Sequence, residues 1–125
     1  MAEERIIQQE ILDYLQRTGW MAWNNDTTGG IGRGGRRVTN KKKGSPDIEA
    51  LKNGIYLACE VKGPRTTLKE YQLAWLNNVA RHGGISIVVG SLKDAVLAIT
   101  QKTAEGARRE DIWIGRDIKF HVGQT

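Results

Sequence analysis

Three side chains carry the chemistry of this sequence: Asp47, closing Ser45-Pro46-Asp47, and Glu60 with Lys62, flanking Val61. Twelve residues, 48–59, separate the two acids. Two carboxylates brought together form a hard oxygen site suited to Mg²⁺ or Mn²⁺, with waters and a backbone carbonyl completing the shell. Such an ion lowers the pKa of a bound water and offsets charge on a phosphoryl group, while a neighbouring lysine orients the attacking water. That combination suits phosphodiester hydrolysis. The competing reading is plain: Asp47 caps a turn, and Glu60 and Lys62 form an ion pair on a solvated strand.

The intervening residues must bring the acids together, and they read as a β-hairpin. Residues 48–51 run outward, Lys52-Asn53-Gly54 turns, and residues 55–62 return, because Asn-Gly suits the positive-φ positions of a tight turn. Strand side chains alternate between faces, so Tyr56, Ala58, Glu60 and Lys62 share one face, and Ile55, Leu57, Cys59 and Val61 the other. Glu60 and Lys62 then point the same way.

Gly-Ser-Pro-Asp, the hairpin and Glu-Val-Lys, continuing as Cys59-Glu60-Val61-Lys62-Gly63-Pro64, resemble the PD-(D/E)XK nuclease superfamily. Within it the chain is similar to small free-standing VRR-NUC domains of phages and bacteria, over about residues 4–99. The resemblance implies a restriction-endonuclease-like α/β core, a central mixed sheet flanked by helices. It also implies that Asp47 and Glu60 bind metal, that the Val61 carbonyl assists, that Lys62 is catalytic and that Gln72 supports the site. The family often has a further acid in its first helix, for which this sequence offers no single match.

Residues 4–17 carry Ile7, Ile11, Tyr14 and Leu15 at helical spacing. At about 100° per residue Glu4 falls within this apolar stripe, Gln8 at its edge and Glu10 to one side. An inward polar group needs a partner, so either Glu4 or Gln8 is the helix's contribution to the site, unless Glu4 simply favours the helix N-terminus.

The 125 residues, 39% of them hydrophobic, fit a single domain spanning 1–125. Cys59 is the only cysteine, so it makes no internal disulfide and reads as a structural thiol; no CxxC or paired His suggests zinc. No apolar run approaches the ~20 residues of a membrane span, and no signal pattern opens the chain, which points to the cytoplasm of a bacterium or a phage-infected host.

Net charge is +5, from 19 basic and 14 acidic residues. Its distribution says more. Arg33, Arg36, Arg37, Lys41, Lys42 and Lys43 precede the acids with no acidic residue among them, a pattern suited to sequence-independent contacts with a DNA backbone. The overlapping stretch 27–35 is too glycine-rich for a helix or a regular strand and is expected to be a mobile loop that closes over DNA. It has neither P-loop nor dinucleotide spacing, so no nucleotide cofactor is expected. Trp20 to Trp23 begin a strand after Gly19, their aromatics directed to the core.

Beyond the hairpin, Thr66 or Thr67 is expected to cap a helix running to about Arg81, with Gln72 on its apolar face beside Leu68, Trp75, Leu76 and Val79. His82 has the place of a helix C-terminal residue, not of a base. Residues 85–89 form a β-branched strand, and Ser91 caps a helix to about Thr100. This β-α-β order favours parallel pairing. The tail, 101–125, suggests a terminal hairpin of residues 111–115 and 118–122 through Arg116-Asp117, covering a sheet edge or joining a partner.

These readings converge on a metal-dependent DNA endonuclease, selective for branched or Holliday-type junctions by resemblance and expected to act as a homodimer. The alternatives are a sequence-specific restriction-type enzyme and a non-catalytic DNA-binding module on the same fold.

Overall fold

A computed structural model describes the backbone of residues 2–25, 28–31, 37–39 and 41–121, and the side chains of 3–25 and 41–121. Helix α1 (Ala2–Arg17) leads through Gly19, at φ +93°, into strand β1 (Met21–Asn24). Strands β2 (Thr28–Ile31) and β3 (Arg37–Thr39) follow, then the hairpin β4 (Ile48–Lys52) and β5 (Ile55–Val61). Asn53 and Gly54 turn that hairpin at φ +52° and +79°, the backbone the Asn-Gly pair favours. Next come β6 (Thr67–Leu68), α2 (Glu70–Arg81), β7 (Ile85–Val89), α3 (Leu92–Thr103), β8 (Trp113–Ile114) and β9 (Lys119–Phe120).

The central sheet has the order β1-β4-β5-β7-β8. Its first two pairings are antiparallel and its last two parallel, giving the expected mixed α/β sheet. The period-two alternation of β5 divides the core. Leu57, Cys59 and Val61 pack with Ile48, Ala50, Ile85, Ile87 and Val89 beneath α1 (Ile11, Leu15) and α3 (Ala95, Ala98, Ile99). On the opposite face Ala58 and Val88 meet Leu76 of α2 and Leu68. Ser86 fastens α2 to the sheet by donating its hydroxyl to the Leu76 carbonyl at 2.7 Å. Cys59 is wholly buried, which pushes its thiol pKa well up and keeps it inert.

Three expectations are corrected. The Gly-rich stretch does contain a short strand: β2 pairs antiparallel with β3, with a register shift between Thr28 and Ile31, while residues 27 and 32–35, on which the mobile-loop expectation also falls, lie outside the described residues. Helix α2 starts at Glu70 with Lys69 as its N-cap, not at Thr66 or Thr67, because Thr67 and Leu68 are extended and pair in parallel with Lys119 and Phe120. The terminal hairpin does not form either. The chain does turn at Arg116-Asp117, but β8 joins the edge of the central sheet beside β7 and β9 joins β6. Among the described residues no helix is long and apolar enough to cross a membrane.

Candidate active site

The site sits where β5 ends beside the start of β4. Ile48 faces Cys59 across the hairpin, and one further step along that register sets Asp47 opposite Glu60. The loop before Asp47 is held in place by short contacts. Asn25 donates its side-chain amide to Ser45 Oγ (3.0 Å) and the Pro46 carbonyl (2.9 Å), and its backbone N–H to the Asp47 carbonyl (2.9 Å). Ser45 closes a turn onto the Lys42 carbonyl. Gly44 is at φ +88°, and a Cβ there would lie 2.7 Å from the Tyr71 carbonyl oxygen, so glycine lets the loop approach α2.

Asp47 Oδ2 accepts the Val61 N–H at 2.9 Å, and Oδ1 accepts from Lys41 Nζ at 3.0 Å. Glu60 is only 2% exposed. Its Oε2 accepts from Gln72 Nε2 at 3.1 Å and lies 3.8 Å from Lys62 Nζ, an ion-pair contact too long for a hydrogen bond. Its Oε1 is buried with no hydrogen-bond partner. Burial first, then the Asp47 carboxylate, pushes the Glu60 pKa up to about 8, against the opposing pull of Lys41 and Lys62. A buried carboxylate oxygen facing a second carboxylate, with nothing bonded to it, is what a cation would relieve. The donor set is all oxygen, so the residues fit a hard divalent ion. No cluster of three or more His, Cys, Asp or Glu exists among the described residues, so water and backbone would supply the remaining ligands.

Of the two first-helix candidates, Glu4 reaches this end of the sheet. Its Oε1 accepts from the Gly63 N–H (2.8 Å), the peptide directly after Lys62, and from the Thr66 hydroxyl. Gln8 is half-buried and makes neither contact. Lys62 is largely buried. Of the basic run, Arg33 and Arg36 lie outside the described residues, as does the Arg37 side chain. Lys41 is held against Asp47, while Lys42 and Lys43 are exposed, Lys43 Nζ lying 4.7 Å from the Tyr71 ring centre.

The family model for the VRR-NUC domain matches residues 2–92. The chain belongs to the VRR-NUC family. Its nuclease-type fold is also that of a solved structure titled "VRR_NUC domain", with a TM-score of 0.58 at 22% identity, over 78% of this chain and 94% of that one. No curated protein matches the chain. The VRR-NUC match runs from α1 through β7 and therefore spans Glu4, Asp47, Glu60, Lys62 and Gln72.

Sequence reasoning misses several residues placed around this candidate site of the VRR-NUC chain. Asn25 belongs to no motif; its only signal is its place after the strand that pairs with β4. Thr66 reads as a helix cap, whereas its hydroxyl bonds Glu4. Trp20 is core, as expected, but Trp23 is 38% exposed and donates its indole N–H to Glu49 Oε1 at 3.2 Å. Glu49 also accepts from the Tyr56 hydroxyl, and burial first, then this bond, pushes the Tyr56 pKa up.

Proposed function

We propose that this chain is a divalent-metal-dependent endonuclease that hydrolyses phosphodiester bonds in DNA, with selectivity for branched substrates such as Holliday-type junctions. The observation that carries this reading is the buried Asp47–Glu60 pair with its unpartnered Glu60 Oε1, next to Lys62. Asp47, Glu60 and the Val61 carbonyl would hold Mg²⁺ or Mn²⁺. A bound ion of this kind supplies Lewis-acid stabilisation of a phosphoryl group and a more acidic water.

The remaining work falls to side chains of the protein. Lys62, 3.8 Å from Glu60, orients the attacking water or offsets charge on the phosphate. Gln72 holds Glu60 in one rotamer and Glu4 fixes the peptide after Lys62, either of which limits drift of the site. Lys42 and Lys43, with the arginines before them, supply backbone contacts that depend on salt and not on sequence. Each chain offers one such site, so cutting both strands symmetrically calls for a homodimer of single-domain protomers.

The test is cleavage of labelled single-stranded, duplex, flap and four-way-junction DNA with Mg²⁺, Mn²⁺ or EDTA, using the native chain, Asp47→Ala and Lys62→Ala. Metal-dependent cutting, lost in both variants and strongest on the junction, is expected. Binding without cutting under every condition would make the chain a DNA-binding module instead, and cutting confined to one duplex sequence would make it a restriction-type enzyme.

A further inference from the structure

Lys41 stands apart from its neighbours Lys42 and Lys43, which are exposed. Its ammonium is turned inward, 3.0 Å from Asp47 Oδ1, with the lysine and aspartate side chains 17% and 12% exposed. Asp47 Oδ2 is already engaged by the Val61 N–H. Of the four oxygens of the acid pair, therefore, Oδ1 of Asp47 is covered by an ammonium and Oε1 of Glu60 by nothing. Positive charge is placed where two buried carboxylates need it, because unpaired charges at this depth are costly.

We infer that Lys41 is a resident counter-cation that a divalent ion must displace from Asp47, and that the displaced ammonium passes to a DNA phosphate. This rests on the metal-binding reading of Asp47 and Glu60. An ion bound through Asp47 Oδ1 takes the oxygen that Lys41 now holds, and two cations cannot share that contact without strong repulsion. Lys41 leads directly into exposed Lys42 and Lys43, so its freed side chain joins cations already directed at solvent. Metal loading and backbone binding are thereby coupled: each is favoured once Lys41 has left Asp47, and the coupling is reciprocal.

The experiment measures Mn²⁺ binding without DNA, by electron paramagnetic resonance of the free ion in alkaline buffer, for the native chain, Lys41→Met and Asp47→Asn, with circular dichroism to check folding. Asp47→Asn is expected to abolish binding and Lys41→Met to tighten it about tenfold, the scale of one charged hydrogen bond. Lost binding in Asp47→Asn with unchanged or weaker binding in Lys41→Met overturns the displacement and leaves the metal site standing. Retained binding in Asp47→Asn overturns the site itself. A DNA arm reads the second half. With Ca²⁺ in place of Mg²⁺, Lys41→Met should weaken duplex binding and lower the log–log salt slope by about 0.9, one phosphate contact. In EDTA the variant should match the native chain; an equal loss in both conditions overturns the transfer. Should Lys41→Met fail to fold, the Lys41 Cε–Nζ resonance of the native chain serves. It must shift on Mg²⁺ addition, and an unmoved resonance under saturating Mg²⁺ overturns the inference.

Discussion

Gln72 holds Glu60 with one end of its amide and starts its own helix with the other. Nε2 donates to Glu60 Oε2 at 3.1 Å, while Oε1 accepts the Lys69 N–H at 3.0 Å. The residue whose side chain caps the first turn of α2 is therefore the residue that orients the buried acid. Gln72→Ala should lower cleavage about 10- to 100-fold, as expected for loss of an orienting partner, and lower stability by about 1 kcal/mol. Gln72→Glu should keep the helix start but set a second carboxylate against Glu60. Cleavage kinetics and thermal melts of the two variants separate the roles: near-native melting with depressed kcat is expected only of Gln72→Glu.

Glu60 gives the metal-free protein a pH dependence of definite sign. Its pKa is about 8 in the folded chain against an ordinary 4.5, so between these values the folded state holds a proton that the unfolded state has released. This contribution is fully present at low pH and lost as pH rises through about 8, on the order of 5 kcal/mol at most. Urea titrations in EDTA should show it, and Glu60→Gln should flatten the slope. Added Mg²⁺ should restore stability at the alkaline end by binding the ionised form.

Glu4 is either a structural tie or part of the chemistry, and two substitutions divide these roles. Glu4→Ala removes the acceptor shared by the Gly63 N–H and the Thr66 hydroxyl, leaving them only their mutual bonds of 3.0 and 3.3 Å, and should cost about 1 kcal/mol. Glu4→Gln keeps an acceptor and should recover most of that stability. Cleavage that recovers with it marks Glu4 as a tie; cleavage that stays low in a stable Glu4→Gln chain marks a role for the charge. Melting curves and single-turnover rates on one substrate supply both readings.

Gly44 fixes the distance between the Asp47 loop and α2. Gly44→Ala meets both a positive φ and the Tyr71 carbonyl oxygen at 2.7 Å. We expect a loss of about 2 kcal/mol or more, with weaker metal binding as Asp47 is displaced from Glu60. Calorimetric melting and Mn²⁺ titration of this variant check the two effects.

Local signals were enough for the hairpin and its acids. Asn53-Gly54 specifies its own turn, and alternation along β5 sets Glu60 opposite the face that buries Cys59 and Val61. The β-α-β order foretold the β5–β7 parallel pairing, and Ser91 does cap α3, accepting from the Asp94 N–H at 3.1 Å. Errors arose where a partner lies far along the chain. Nothing near Thr67 and Leu68 shows that Lys119 and Phe120 will pair with them, so an extended pair read as the first turn of a helix. That Asp47, Glu60, Lys62 and Gln72 come together at one end of β5 was legible from motif and period. The inward turn of Lys41 was not, because a run of lysines carries no mark of which one faces a carboxylate.

The family match ends at residue 92, but the physical object does not. Beyond that point, Trp113 and Ile114 extend the central sheet past β7, and Ala95, Ala98 and Ile99 complete the core. Phe120 pairs with Leu68, the His121 N–H bonds the Leu68 carbonyl, and Lys119 Nζ reaches the Pro64 carbonyl at 3.3 Å, so the last described residues clip down the loop that leaves Lys62. A fragment trimmed to the family boundary would keep every candidate ligand yet lose the clip, and without β8 it would leave β7 as a bare sheet edge inviting self-association. Residues remote from the motif thus belong to the smallest unit that can be excised, transplanted or fused with its site intact.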